Sequence, residues 1–198
     1  MATVVVPFRS TDPKSRLSGV VELDRVRLAH AMLADVLAAA EPLGEILVVA
    51  AEAPELPAGA RHVPDPRRGQ GAAVRAALNA AVAAGLPAPY VVVNADVPCV
   101  TTRDLLALVG ALPEHGLALA AAADGTTNAL ALSDEGLFEP VYGPGSAERF
   151  AALAPSTRLD APNLMDDVDT PGDLARLGER LGEHTRRVLA SLHLESAA

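Results

Sequence analysis

The sequence predicts an α/β domain in which a mixed, mostly parallel sheet lies between helices, a Rossmann-like three-layer arrangement. Short apolar stretches alternate with longer amphipathic stretches along the chain, as is typical of parallel strands joined by helices. Polar residues and glycines follow several apolar stretches, as expected where strands end in loops. The 198 residues suit one domain with a short extension, and we predict a domain over 1–181 and an extension over 182–198.

The first half of the chain contains three predicted strands and two predicted helices. Each strand is a run of apolar residues, each helix has apolar residues at helical spacing, and Asp24 is placed to cap the first helix. A basic, polar loop follows the first strand, and the Pro-rich stretch 53–66 contains at most one short strand. The predicted strands are 3–8, 45–51 and 90–94, and the predicted helices are 24–40 and 71–84.

The second half continues the alternation. A last strand is predicted to end near Asp167, after which Thr170, Pro171 and Asp173 provide a cap, a proline at the first helical position and an acidic first turn. Residues after about Leu181 are predicted to form a polar helical extension or a frayed tail. The other predicted elements are helices 102–112 and 146–154 and strands 117–122 and 128–132.

Composition excludes several classes of function. The net charge of −9 and the 3% aromatic content argue against nucleic-acid binding, which needs a basic face and stacking side chains. No apolar run approaches the roughly 20 residues needed to cross a bilayer, and the N-terminus lacks a secretory signal, so we expect a cytoplasmic protein away from membranes. The single cysteine, Cys99, cannot form an internal disulfide and is expected to be a small buried residue.

Aspartates follow two of the predicted strands. Asp96 comes just after the strand 90–94, and Asp167 and Asp169 follow the last strand. In an extended chain Asp167 and Asp169 point to the same side, where like charges repel unless a positive group intervenes. Magnesium is usually held by one or two carboxylates together with water and phosphate oxygens. The spacing alone leaves two interpretations open, a divalent metal site and a solvated acidic turn.

A basic loop follows the first strand. It contains Arg9, Lys14 and Arg16, and Lys14 is the only lysine in the chain. The loop is close to the expected active edge, so it is either a phosphate-binding segment or a solvated turn. It lacks the Walker pattern, and no GxGxxG fingerprint indicates a dinucleotide-binding domain.

Glycine-rich segments precede two predicted helices. Arg68, Gly69 and Gly71 lie in the segment that enters helix 71–84, where glycines would let a phosphate or ribose approach backbone amides, although an ordinary loop would look the same. The loop 125–128 and the turn 142–146 are further candidates. The turn precedes a helix, so its amides and the Ser146 hydroxyl could hold an anion, and serine capping is an equally good interpretation. No GxSxG elbow indicates a serine hydrolase.

In order along the chain, seven motifs resemble those of the guanylyltransferases that make the activated precursor of the deazaflavin coenzyme F-420. The resemblance spans roughly residues 3–177. Two positions differ from the usual pattern, with Arg9 where lysine is frequent and Gly125-Thr126 where a glycine pair is frequent. The motifs are 14–18, 27–33, 77–81, 95–98, 127–130, 142–146 and 167–174.

The resemblance implies a nucleotide-diphospho-sugar transferase-like fold and a transfer of GMP from GTP to phosphoenolpyruvate, with 2-phospho-L-lactate or 3-phosphoglycerate as alternative acceptors. It implies Mg²⁺ as the cofactor, held by Asp96, Asp167 and Asp169. A homodimer and a hand-over of the product to the next pathway enzyme are compatible with it. The substrates are small molecules, with no nucleic acid or membrane involved.

The resemblance also implies roles for the remaining candidate residues. Lys14 and Arg16, with Asp96, would be catalytic, the two cations by neutralising the leaving pyrophosphate. The predicted nucleotide-binding residues are Arg9, Arg68, Gly69, Gly71 and Asn79, and the predicted acid-binding residues are Thr127, Asn128, Gly143 and Ser146. Three alternative functions stay open. A molybdopterin or sugar-phosphate nucleotidyltransferase would normally have a glycine-rich arginine loop, which is missing from 7–18. The other two are a non-catalytic nucleotide-binding partner module and a hydrolase with a nucleophilic aspartate.

Overall fold

The computed structural model describes residues 1–9 and 22–196, and its centre is a mixed sheet of seven strands. The strand order is β3-β2-β1-β4-β6-β5-β7, in which the first four strands are parallel, β6 is antiparallel to both of its neighbours, and β7 is parallel to β5. This confirms the predicted fold class. The strands are β1 Ala2–Pro7, β2 Gly44–Ala50, β3 Ala60–Pro64, β4 Tyr90–Val93, β5 Leu117–Ala121, β6 Thr127–Leu132 and β7 Ser156–Arg158.

Helices cover both faces of the sheet. In the described part of the chain, no helix is long and apolar enough to cross a membrane. Three short 3-10 turns, Glu41–Leu43, Glu135–Leu137 and Gly178–Arg180, join other elements. The α-helices are α1 Glu22–Ala40, α2 Gln70–Ala83, α3 Thr102–Gly110, α4 Ser146–Ala151, α5 Pro162–Met165, α6 Pro171–Leu177 and α7 Glu183–Ser196.

The core has two layers because alternate strand residues point to opposite faces. In β1, Val4 and Val6 belong to the cluster under α1 and α3, whereas Val5 belongs to the cluster under α2 and α4. All three side chains are fully buried. Such continuous apolar strands are typical of a sheet covered on both sides.

A third apolar cluster joins the C-terminal helices to α1. Leu28 and Met32 of α1 pack with Leu174 of α6, and residues of α7 close the cluster from outside. The structure has a helix, α7, over Glu183–Ser196 of the predicted extension. The predicted boundary at residue 181 stays a prediction.

Two local predictions are wrong. The last strand is Ser156–Arg158 and does not extend to Asp167, because Pro162 starts the short helix α5 and the segment after it has no partner strand. Asp24 does not cap α1, because the helix already begins at Glu22; its carboxylate instead pairs with Arg27 at 3.3 Å. By contrast, Thr170 caps α6 in a capping box with Asp173, as predicted.

Candidate active site

A pocket of about 270 Å³ lies at the carboxyl ends of the parallel strands. Strands β1 and β4 are neighbours there, and the chain runs from β1 towards β2 and β3 on one side, so the pocket is at a reversal of strand order where open α/β sheets bind ligands. Its lining comes from the ends of β1, β2 and β4, the start of α2, and α1. Its polar lining residues are Arg9, Asp65, Gln70, Asn94 and Asp96.

Three carboxylates converge at the edge of this pocket. Asp96, Asp167 and Asp169 each offer an oxygen, and these oxygens lie within 4.8 Å of one another. All three residues are partly buried, and Asp96 also lines the pocket. A set of carboxylate oxygens that faces a pocket matches the ligand preference of Mg²⁺ or Mn²⁺.

The backbone around Val168 explains how Asp96 meets Asp167 and Asp169, which are 71 and 73 positions away in sequence. The Val168 side chain is fully buried in the third apolar cluster, between two aspartates that belong to the carboxylate group. Its backbone N–H donates to the carbonyl oxygen of Asp96 at 2.9 Å. The buried valine thus anchors the segment, and the backbone bond holds that segment beside the end of β4.

Asp166 belongs to the same acidic segment but has a structural task. Its two oxygens accept hydrogen bonds from Arg176 and Arg180, each at 2.7 Å. Partial burial alone would raise the pKa of this carboxyl, but the two arginines outweigh that effect and hold the pKa below its ordinary value. The segment therefore divides into one neutralised carboxylate that ties it to α6 and two that face Asp96.

The two predicted acid-binding segments lie side by side. The hydroxyl groups of Thr127 and Ser146 are 3.0 Å apart and buried, and the N–H of Ala147 donates to the carbonyl of Gly125 at 3.2 Å. Gly143 has φ of +108°, a conformation that L side chains rarely adopt. The structure thus brings Thr127, Gly143 and Ser146 together at the start of β6 and the start of α4.

Side chains on either side anchor the turn 142–146. Tyr142 packs edge-on against Phe150 at a centroid distance of 5.0 Å, and burial raises the pKa of its hydroxyl group. The Arg149 guanidinium donates to the carbonyl oxygens of Val141, Tyr142 and Pro144 at 2.7 to 3.3 Å. These contacts give the turn a fixed shape, since a planar guanidinium holds several acceptors in one geometry.

Two amide side chains connect the pocket with these loops: Gln70, from the segment predicted to lie along the nucleotide, and Asn94, which the sequence analysis did not single out. Gln70 donates to Asn94 at 2.7 Å, and both residues line the pocket. Asn94 donates in turn towards Asn128 at 3.4 Å. Asn94 directly follows strand β4, two residues before Asp96. This position at a strand end could have indicated it as a site residue from the sequence.

The predicted nucleotide-binding residues differ in their position relative to the pocket. Arg9 lines the pocket, whereas Arg68 and Gly69 are exposed and are not among its lining residues. Lys14 and Arg16 lie outside the described residues, and their roles stay predictions.

Two further positions in α2 lie away from the pocket lining. A Cβ on Gly71 would lie 2.6 Å from the Cβ of Pro140, so the close approach of this chain segment accounts for that glycine. Asn79 is exposed on α2, nine residues beyond Gln70, which corresponds to about 13 Å along the helix axis. Nucleotide binding by Gly71 and Asn79 stays a prediction.

Comparisons with known proteins identify a family. A family model described as guanylyl transferase CofC like matches residues 2–194. A phosphoenolpyruvate guanylyltransferase from Sphaerobacter thermophilus is 34% identical over 193 residues, covering 89% of this chain and 93% of that protein. A 2-phospho-L-lactate guanylyltransferase from Natrialba magadii is 32% identical over 194 residues, covering 88% of this chain and 82% of that protein.

The fold also matches solved structures. A crystal structure from Desulfovibrio desulfuricans G20, named as that of a nucleotide-diphospho-sugar transferase, superposes with a TM-score of 0.73 at 16% identity and covers 96% of this chain and 94% of that chain. At that identity the likeness concerns the fold, and it confirms the predicted fold type. With a family model that spans nearly the whole chain and relatives of the same family above 30% identity, the chain belongs to the CofC-like guanylyl transferase family of nucleotidyltransferases.

Proposed function

We propose that this guanylyltransferase transfers the GMP group of GTP to phosphoenolpyruvate, giving enolpyruvoyl-2-diphospho-5'-guanosine and pyrophosphate for coenzyme F-420 biosynthesis. The observation that carries the proposal is the convergence of Asp96, Asp167 and Asp169 at the edge of the pocket. Three carboxylates within 4.8 Å suit a divalent ion that also binds phosphate oxygens. A reaction between two phosphorylated substrates requires such an ion to neutralise their charges.

The three carboxylates would hold Mg²⁺. When bound, the ion neutralises phosphate charge and orients the reacting oxygens. The chain needs no nucleophile of its own, because a phosphate oxygen of the acid attacks the α-phosphorus of GTP and the bond from that phosphorus to pyrophosphate breaks. The residues contribute by positioning the two substrates and by stabilising charge.

The basic loop and the two acid-binding segments would bind different reactants, the first the leaving pyrophosphate and the second the acid. Arg9, Lys14 and Arg16 would neutralise the leaving pyrophosphate, since compact and planar cations suit phosphate oxygens. Of the four predicted acid-binding residues, Thr127, Gly143 and Ser146 would bind the acid, and the fixed shape of the turn 142–146 supports this. The nucleotide would occupy the pocket between β1 and α2.

The acid is the open choice within the proposal. Relatives of this chain are named for phosphoenolpyruvate and for 2-phospho-L-lactate. These acids and 3-phosphoglycerate all carry one phosphate and one carboxylate, so the same groups would recognise each of them. We choose phosphoenolpyruvate as the first acid because relatives 36% identical to this chain are named for it, while a relative named for 2-phospho-L-lactate is 35% identical, so the assay decides between them.

A direct assay tests the proposal. The purified protein is incubated with Mg²⁺, GTP and each of the three acids separately, and pyrophosphate release is followed over time. The next enzyme of the pathway is added in a parallel series so that product inhibition cannot hide turnover. We expect the highest kcat/KM with phosphoenolpyruvate.

Other outcomes of the assay are equally informative. Faster release with 2-phospho-L-lactate or 3-phosphoglycerate would replace the acid and keep the reaction. No release with any acid, although GTP binds, would favour a non-catalytic nucleotide-binding module.

A further inference from the structure

The Asn128 side chain is a buried bridge between two loops. It is only 2% exposed and extends from strand β6. Its Nδ2 donates to the carbonyl oxygen of Met165 at 3.2 Å, and its Oδ1 accepts from Nδ2 of Asn94 at 3.4 Å. Both polar ends of the amide are therefore occupied by protein groups.

The bridge joins the two chain segments that supply the carboxylate group. Asn94 precedes Asp96 by two residues, and Met165 precedes Asp167 by two residues. The segments are also joined directly, through the 2.9 Å bond from the Val168 N–H to the Asp96 carbonyl. The backbone bond and the side-chain bridge both contribute to the relative position of the two segments.

The hydrogen bonds run in one direction along the chain of amides. Gln70 donates to the Oδ1 of Asn94 at 2.7 Å, Asn94 donates to Asn128, and Asn128 donates to Met165. Nδ2 of Asn94 also lies 3.3 Å from the carbonyl oxygen of Thr127. The backbone carbonyl oxygens of Met165 and Thr127 can only accept, so the amide nitrogens of Asn128 and Asn94 face them, and the Asn94 oxygen accepts from Gln70.

A metal site needs such a bridge. Three carboxylates within 4.8 Å repel one another before an ion binds, and repulsion tends to separate the loops that carry them. Buried hydrogen bonds between those loops oppose the separation, since breaking them would leave polar groups unpaired away from water.

We propose that Asn128, acting with Asn94, is a positioning residue of the metal site and does not contact the acid substrate. It holds residues 165–169 against the end of β4, so that the carboxylates keep the spacing that a divalent ion requires. The inference rests on the proposed function only in that it takes the three aspartates as a metal site. Partners that orient metal ligands typically change metal affinity or activity by about 10- to 100-fold when they are removed.

Binding of Mn²⁺ alone tests the inference without turnover. Wild type, Asn128→Ala and the milder Asn128→Ser are titrated with Mn²⁺ by calorimetry, in the absence of nucleotide. We expect a Kd for Mn²⁺ that is about tenfold or more higher in Asn128→Ala and an intermediate value in Asn128→Ser. At saturating Mn²⁺ the KM for the acid is expected to stay within about threefold, because the side chain lies behind the site.

Asn163→Ala is the matched control. This residue is on α5 near Met165, but its amide donates to Asp104 at 3.0 Å and accepts from Arg180 at 3.0 Å. We expect wild-type affinity for Mn²⁺ in this variant. Thermal melts show which variants are folded at the titration temperature, and Asn128→Ser carries the comparison if Asn128→Ala does not fold.

The outcomes separate the inference from the proposed function. Unchanged Mn²⁺ affinity with a raised KM for the acid would overturn the inference and make Asn128 a substrate contact. A wild type that binds no Mn²⁺ would also overturn it, together with the metal site. A wild type that binds Mn²⁺, loses affinity with the Asn128 substitutions and turns over none of the acids would support the inference and refute the proposed function alone.

Discussion

Neighbouring residues of the segment 166–169 perform different tasks because each contacts a different part of the molecule. Asp166 faces the arginines of the C-terminal region, Val168 is buried in the third apolar cluster, and Asp167 and Asp169 approach Asp96. The buried valine and the two arginine contacts hold the segment so that the other two carboxylates can crowd together.

Removal of one metal carboxylate should abolish most of the activity. For Asp169→Asn we expect kcat/KM to fall about a thousandfold or more, since a loss of about 4 kcal/mol of transition-state stabilisation has this effect. Steady-state pyrophosphate release measures it. Asp160→Asn, the same chemical change at an exposed position, is the control and should keep wild-type activity. Near-normal turnover of a folded Asp169→Asn protein would refute the site assignment.

Gly71 was predicted to bind nucleotide, but its close packing against Pro140 also explains why this position is glycine. A substitution tests the packing explanation. Gly71→Ala should lower the free energy of unfolding by about 1 to 3 kcal/mol, because the new methyl group would lie 2.6 Å from the Cβ of Pro140. Urea denaturation measures the change. Gly110→Ala, at the end of another helix with nothing within 4 Å of the new Cβ, should be neutral or stabilising. Equal stability of the two variants would contradict this explanation.

Cys99 should be unreactive in the folded protein. Its side chain is 3% exposed, and burial raises the pKa of the thiol, so little thiolate is present at pH 8. Iodoacetamide labelling followed by mass spectrometry should show modification in urea and very little in buffer. Rapid native labelling would mean that the third apolar cluster opens readily.

At the scale of elements, α7 is attached to α1 through a buried carboxylate. Asp35, in the middle of α1, is 7% exposed and accepts hydrogen bonds from the N–H groups of His184 and Thr185 at 2.9 and 3.0 Å and from the Thr185 hydroxyl at 2.6 Å. Such bonds satisfy amides at the start of a helix. Gly182 is required nearby, because a Cβ there would lie 2.1 Å from the Asp35 carboxyl carbon.

Loss of this carboxylate should loosen the C-terminal helix. For Asp35→Ala we expect a decrease of about 2 to 3 kcal/mol in the free energy of unfolding, since amides at the start of α7 lose a charged partner while buried. Chemical denaturation gives the value. Asp24→Ala on the same helix removes only a surface pair with Arg27 and should cost less than about 1 kcal/mol. A similar small cost for both would show that α7 does not depend on Asp35.

At the scale of the whole molecule, the apolar core does not depend on an ion at the proposed metal site. The apolar clusters occupy the two faces of the sheet and the space under α6 and α7, whereas the carboxylates lie at the edge of the pocket. An ion that binds only the folded state adds to its stability. The apolar core of this fold, however, is formed by side chains and not by the ion.

Removal of divalent metal should therefore stop turnover without unfolding the protein. With EDTA we expect no pyrophosphate release and an unchanged circular dichroism spectrum, and added Mg²⁺ should restore activity. Mn²⁺ should raise the Tm of wild type and not that of Asp169→Asn. Unfolding in EDTA would contradict the separation of core and site.

Much of the fold could be predicted from the sequence. Apolar runs such as 3–8 and 90–94 are strands in the structure because continuous apolar stretches must be buried on both sides. Local signals also worked where the chemistry is local, as with the Thr170 cap. The sequence indicated Asp96 as a candidate because polar residues after strands gather at one edge of a parallel sheet, whereas Asp167 and Asp169 were indicated through a predicted strand end and in fact follow the short helix α5.

Only the tertiary structure decided how these residues are arranged and held. The approach of Asp96 to Asp167 and Asp169 depends on the burial of Val168 and on the Asn128 bridge, which join elements distant in sequence. No local pattern encodes such contacts, because they arise when strands β4 and β6 become neighbours. Sequence alone thus determined the kinds of element and the candidate chemistry, and packing determined the spacing, since distances between loops are set by the elements beneath them.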